Sequence, residues 1–397
     1  MPKVPVYDGL QVSPTSQPNV HVQAQEMPDV AGRQMQEMGR GMMQAGSAFG
    51  QIALDIQNEA NKVRVDDALN QAIKARTGSM DLLVAIGSRF VCQSDCSRTG
   101  YPNVKAVINI NTDVHDVTHY GKTVALLGDG APTLRRLISL LEGRGASGSG
   151  PSSEWFNDCS AKRREWEAFK AERYENPCLY SEVWGGEVLT QPAAIKTATD
   201  WARANNAVSF FDAGDVQANG FQVAEDDRLG RTFTETGASY MGFAVSALLA
   251  TALASEPFYG LALTGDGSFM MNPQILIDGV FHGATGCILL LDNRRMGAIS
   301  ALQEAQYGKA YATSDKLEVD YVRLAGAVQG ALAQEGGRSP ASLRAALDRA
   351  RSHEGLSLIH VPVYYGPDPL GGLGAFGRWN VGGWCRDTQA MRHKIGL

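Results

Sequence analysis

Between residues 81 and 363 short apolar runs alternate with longer stretches of helical period. Residues 81–90 (DLLVAIGSRF), 104–110 (VKAVINI) and 123–127 read as strands, and 131–141 as a helix. Residues 154–174 predict a helix with Trp155, Trp166 and Phe169 on one side. From about Ser181 the alternation is steady. Helices are expected at 192–204, 241–254, 272–283, 321–333 and 340–352, and strands at 207–212, 259–264, 286–291 and 356–363. That order predicts an α/β fold with a doubly wound, mostly parallel sheet. In such sheets ligands bind beyond the carboxyl ends of the strands.

The first 75 residues follow other rules. Residues 1–28 place Pro2, Pro5, Pro14, Pro18 and Pro28 among Gln, Ser, Asn and Val, a composition that favours an extended arm. Across 29–75, Met35, Met38, Met42, Ala45, Phe49, Ile52, Ile56 and, after one polar miss at Glu59, Val63 fall on steps of three and four, the rhythm of a helix seam. Asp29 suits its N-cap, whereas Gly39, Gly41, Gly46 and Gly50 weaken the helix, so it needs a surface to pack on. A partner protein and the chain's own domain fit that need equally. The composition of 143–153 (GRGASGSGPSS) is that of a flexible linker. The chain is therefore expected to divide into an arm (1–28), a heptad helix (29–75), an α/β piece (76–142), a linker and helix (143–180), a larger α/β domain (181–372) and a tail (373–397).

Composition narrows the function classes. With 44% hydrophobic and 20% charged residues the 397-residue chain is that of a globular protein. Its formal charge of -6 argues against nucleic acid, and the Lys/Arg-rich stretch 162–173 is interrupted by glutamates, as on a solvated helix face. No run of 18 apolar residues suggests a membrane span, and residues 1–27 lack the pattern of a secretory signal. Cys92 and Cys96, with His115 and His119 downstream, match no common structural zinc spacing. The six cysteines are read as reduced thiols, which places the protein in the cytoplasm.

The candidate chemistry lies in Gly265-Asp266-Gly267-Ser268, after one apolar run, and in Asn293, 27 positions on, after the next. The flanking glycines permit a tight turn, and the start of the following helix favours negative charge. Mg²⁺ takes oxygen ligands in near-octahedral geometry, some from protein and others from substrate phosphates. Asp266, the Asn293 amide oxygen and a backbone carbonyl, expected to be that of Arg295, would leave places for diphosphate oxygens and a water. The 265–268 loop matches neither G-x-x-x-x-G-K-[ST] nor G-x-G-x-x-G, which argues against a nucleoside triphosphate or a dinucleotide. A second triplet, Gly128-Asp129-Gly130, has Phe156 at the matching distance and is read as a strand-to-helix turn.

From about Asp81 onward the chain resembles thiamine-diphosphate-dependent enzymes of the acetolactate synthase type, including the trihydroxycyclohexanedione hydrolases. The resemblance rests on GDGSFMMNPQ at 265–274, LDN at 291–293 and GASYMGF at 237–243. It implies the thiamine-diphosphate-binding fold, with thiamine diphosphate and Mg²⁺ as cofactors and a small 2-oxo compound as substrate. It also implies that Gly237, Gly265, Gly267 and Ser268 line the cofactor, with Met241 as an apolar prop between its two rings; Met241 also reads as plain core. FDAGDVQANG at 211–220 stands where the family has its first phosphate-side loop, making Gly214, Asp215, Val216 and Gln217 candidate contacts. Asp215 reads equally as a turn residue, and His282 as packing.

Departures from the family pattern are specific. Asp292 stands where Asn is usual, which adds negative charge beside a diphosphate, and Ile275 stands where Glu is usual. Residues 81–141 resemble only the second half of the family's middle domain, and nothing resembles its pyrimidine-binding domain. The family's activating glutamate comes from that domain across a subunit interface, and neither Glu26 nor Glu37 is placed to replace it. The expectation is a cofactor-binding module that works as a homo-oligomer or with a partner carrying a pyrimidine-binding domain. Residues 1–75, with NEANKVRVDDALNQA at 58–72, resemble instead the start of a phage virion-associated protein. A phage-derived structural protein fused to an inactive domain is the competing expectation.

Overall fold

The computed structural model describes residues 82–88, 104–118, 123–142, 154–235, 238–307, 309–314 and 317–366. The expected arm, heptad helix, glycine-rich linker and tail lie outside these residues, as do Cys92, Cys96, His119 and Gly237.

Strands β1 (Leu82–Ile86), β2 (Ala106–Asn111) and β3 (Thr123–Leu127) form a parallel three-stranded sheet in that order. Asp113 caps the short helix Val114–Val117 by accepting the His115 N–H at 2.7 Å, which relieves an otherwise unpaired donor. After β3, Asp129 Oδ1 accepts the Ala131 N–H at 2.9 Å and the chain enters the helix Gly130–Glu142. The first Gly-Asp-Gly triplet is thus a strand-to-helix turn, as its sequence context indicated.

After the helix Glu154–Glu175 come β4 (Cys178–Ser181), β5 (Gly186–Thr190), β6 (Val208–Phe211), β7 (Thr232–Thr234), β8 (Gly260–Gly265), β9 (Gly286–Asp292), β10 (Leu332–Glu335) and β11 (Leu356–Tyr364). They make one sheet in the order β4-β5-β11-β9-β8-β6-β7, with β10 also paired to β11. Every pairing is parallel except β4 with β5.

The central strands show why the sheet is doubly wound. Successive side chains of a strand point to opposite faces, so a strand covered on both sides is apolar throughout. In β9, Cys287, Leu289 and Leu291 enter one core while Ile288 and Leu290 enter the other. β11 divides likewise, with Ile359, Val361 and Val363 against Leu356 and Leu358. The first core is closed by the helices Gln191–Ala204 and Pro340–Ser352, the second by elements that include Phe243–Ala247, Ile275–Phe281 and Tyr321–Gly326. Both long helices start where the sequence marks a start. Thr190 accepts the Ala193 N–H ahead of Pro192, and Ser339 forms a reciprocal capping box with Ser342 beside Pro340.

Two expected helices differ in the structure. Residues 241–254 form two short pieces, Phe243–Ala247 and Ala250–Leu253. Gly242, at φ 89°, delays the start, and bonds to the third residue back tighten the chain at Leu248 and Leu249. The helix expected over 321–333 stops at Gly326, and Leu332–Glu335 instead pairs with Ser357–His360 as β10. Gly330, at φ 98°, makes the turn between them. Pairing with a fully buried strand overrides the weak helical preference of an Ala- and Leu-containing run.

Candidate functional site

In chain order β6 is followed by β7 on one side and β8 on the other, so the winding reverses between β6 and β8. A crevice opens at the carboxyl ends of two strands whose connections diverge in this way. The residues that leave β6 and β8 are Asp212 to Asp215 and Gly265 to Ser268; β9, next to β8, delivers Asp292 and Asn293. Strand order therefore brings together segments separated by more than 70 positions in the chain.

Asp212 is fully buried and holds the crevice in shape. Its Oδ2 accepts the Thr264 hydroxyl at 2.8 Å, and its Oδ1 accepts the N–H of Gly242 at 2.8 Å and of Ala213 at 2.9 Å. Burial raises its carboxyl above the ordinary range, against the pull of these donors.

Asp266 opens a single helical turn, Asp266–Phe269, and is buried. Burial pushes its carboxyl up to about 8, helped by the Asp292 carboxylate beside it, with which it shares a hydrogen bond; the Gly267 and Arg295 N–H groups oppose the shift. Such a carboxyl holds a proton or a cation at neutral pH. The loop after β9 is folded by its own side chains. Asp292 Oδ1 accepts the Arg294 N–H at 2.8 Å, Asn293 Oδ1 accepts the Arg295 N–H at 3.0 Å, and Arg294 takes φ 52°. The amide oxygen of Asn293 thus has one donor in place and a second lone pair for another partner. At Arg295 the described contact to Asp266 is through the N–H.

Asp215 begins the helix Asp215–Val223, and loss of solvation raises its carboxyl to about 6. It faces Gly297 and Asn293: a Cβ added at Gly297 would collide with Asp215 Oδ2 and lie 3.0 Å from Asn293 Nδ2. Gly214, before it, has φ 87°. Gly267 is a second point of close approach, where an added Cβ would strike the sulfur of Met296 and lie 3.8 Å from Met241 Cε. Met241 thus reaches over the Asp266 loop, half-buried.

The remaining candidates are placed differently. Val216 is core, with its Cγ2 3.9 Å from an added Cβ on Gly265, and Ser268 is buried. The Gln217 amide is turned to the end of β7, donating to Thr234 Oγ1 at 2.6 Å and Glu235 O at 3.1 Å. His282, expected as a packing residue, is instead exposed at the end of its helix, its ring edge-on to the exposed Phe281 at 4.9 Å. Sequence reasoning passed over Asp212, Thr264, Met296, Gly297 and His360. Asp212 at a strand end and Gly297 at a helix start were the only signals, and both are common.

Among the described residues no three His, Cys, Asp or Glu side chains gather as a metal site. A cation here would depend on Asp266 together with amide, carbonyl and ligand oxygens. The donor set suits a hard divalent ion bound with phosphate: one buried carboxylate poor in positive partners, one amide oxygen, and glycines where a ligand would approach.

Residues 212–361 match the family described as thiamine pyrophosphate enzyme, C-terminal TPP binding domain. A 3D-(3,5/4)-trihydroxycyclohexane-1,2-dione hydrolase of Bacillus velezensis is 26% identical over 363 residues, covering 82% of this chain and 56% of that protein. The acetolactate synthase isozyme 2 large subunit of Escherichia coli is 28% identical over 291 residues, covering 71% and 48%. The crystal structure of benzoylformate decarboxylase from Polynucleobacter necessarius superposes with a TM-score of 0.52 at 17% identity, covering 71% of this chain and 49% of that one, and it shows the same fold. The chain spans about half the length of the curated relatives it matches. These matches indicate thiamine diphosphate as the cofactor of the region that contains the crevice.

Proposed function

We propose that residues 181–372 form a thiamine diphosphate and Mg²⁺ binding module of a 2-oxoacid lyase, carboligase or C–C hydrolase type of enzyme. The observation that carries this reading is the buried Asp266 carboxyl at the end of β8, one strand from the Asn293 turn at the end of β9. Asp266, the Asn293 oxygen and the Arg295 carbonyl would hold the metal. The backbone N–H groups at Gly214, Asp215, Gly265, Gly267 and Ser268 would receive the diphosphate. Met241 and Gly237 would support the rings, Val216 would wall the site, and Gln217 would act by pinning the loop to the end of β7.

When bound, thiamine diphosphate supplies a nucleophilic carbon and an electron sink for cleaving or forming a bond next to a carbonyl. The chain's own residues bind, orient and exclude water. A divalent metal there would compete with a proton for the Asp266 carboxyl, and Asp212 holds the ends of β6 and β8 together through Thr264. The acid that activates the aminopyrimidine is assigned to a partner chain carrying a pyrimidine-binding domain. A small 2-oxo compound is the substrate class, with turnover conditional on that partner. The free thiols of Cys159, Cys178 and Cys287 suit the cytoplasm. No described helix is long and apolar enough to cross a membrane.

Calorimetric titration of thiamine diphosphate into the full chain, with and without Mg²⁺, tests the reading. Metal-dependent binding at one site per chain is expected, and its absence would overturn it.

A further inference from the structure

Three neighbouring strands carry a row of polar side chains across the second core. Glu335 of β10 is directly opposite His360 of β11, and His360 pairs one step diagonally with Asp292, since Pro362 is the residue opposite it. His360 Nε2 lies 3.0 Å from Asp292 Oδ2, and Nδ1 lies 3.0 Å from Glu335 Oε2. The ring is buried, with Tyr321 and Trp184 at 5.7 Å and 5.9 Å. Both nitrogens face carboxyl oxygens, an arrangement that the imidazolium satisfies by donating from each. Burial works against that charge, and Asp292 and Glu335 outweigh it to raise the pKa.

The other end of Asp292 does separate work. Its Oδ1 closes the turn through the Arg294 N–H, one residue before the peptide that holds Asn293 and Arg295. We infer that His360 is a positioning residue for the cofactor site: it fixes Asp292 and offsets its charge, Glu335 being turned to solvent, so that the 292–295 turn presents Asn293 and Arg295 with less negative charge toward the diphosphate. This inference rests on the proposed function for its ligand but on the described hydrogen bonds for its geometry. An asparagine at 292 would keep the turn-closing oxygen and carry no charge, so it would make His360 dispensable. That sign separates positioning by charge from simple packing.

The test is a double-mutant cycle of His360→Leu and Asp292→Asn in the full chain, reading thiamine diphosphate affinity by calorimetry at saturating Mg²⁺. His360→Leu alone should weaken binding by about 10- to 100-fold, the usual range for a supporting partner of a metal ligand. In the Asp292→Asn background the same substitution should cost less than about twofold. An equal loss in both backgrounds, or no loss in the first, would overturn the inference. Should His360→Leu not fold, His360→Gln takes its place in the cycle with the same sign expected. Hydrogen exchange of the 292–296 segment in the cofactor-free chain gives an independent readout. It should quicken in His360→Leu and recover in the double variant, and unchanged exchange would contradict the role even if the wild type bound no cofactor.

Discussion

The Thr264 hydroxyl donates to Asp212 at 2.8 Å, a side-chain contact that adds to the backbone pairing at the ends of the two strands between which the sheet reverses its winding. Both residues are fully buried, so the bond has no competitor in water. Thr264→Val keeps the shape and removes the donor, leaving a buried carboxylate short of a partner. It should destabilise the chain by about 1–3 kcal/mol. Urea unfolding would show this as a lower midpoint with an unchanged slope; an unchanged midpoint would mean that Asp212 is already satisfied by the Gly242 and Ala213 N–H groups.

Gly297 gives a prediction for binding rather than stability. An added methyl collides with Asp215 Oδ2 beside Asn293, so Gly297→Ala must displace one of the two. Since the change lies at the first position of the helix Gly297–Tyr307, where alanine is a good helix former, the fold should survive. Thiamine diphosphate affinity should fall at least about tenfold, the loss of one charge-assisted contact or its equivalent. Circular dichroism together with calorimetry separates this from unfolding.

The pH dependence has a definite sign. Asp266 at about 8 and Asp215 at about 6 both stand above the ordinary aspartate value of 3.8. From about pH 4 upward the folded chain therefore holds more protons than the unfolded chain, and stability falls as pH rises until about 8. His360, raised by its two carboxylates, acts in the same direction. The cofactor-free protein should be more stable at pH 5 than at pH 8, and Asp266→Asn should reduce that difference. Thermal melts at the two pH values check it; a larger difference in the variant would show that Asp266 is not the group responsible.

How much of this was visible in the sequence depends on the range of the forces involved. Near-continuous apolar runs such as 286–291 and 356–363 marked the central strands because burial on both faces leaves little room for polar residues. Pro340 behind Ser339 marked a helix start to the residue. β4, β5, β7 and β10 were missed because they are short and are decided by their neighbours, as Leu332–Glu335 is by β11. In the site, Gly265-Asp266-Gly267 and Asn293 were legible because each sits at a strand end with a local turn signature. Asp212, Met296 and His360 were not, since their partners lie 52, 29 and 68 positions away for Thr264, Gly267 and Asp292. Gln217 was read as a cofactor contact from its place in a loop resembling the family's phosphate-side loop, and the structure adds that its Nε2 donates to Thr234.

The central claim is that Asp266 anchors a metal and thiamine diphosphate at the end of β8. Melting temperature measured with thiamine diphosphate and Mg²⁺, for the wild type and for Asp266→Ala, tests it most directly. A ligand at 100 times its dissociation constant should stabilise the wild type by about 2.7 kcal/mol, and the gain should vanish without Mg²⁺ and in the variant. No shift in the wild type, or an equal shift in Asp266→Ala, would contradict the account.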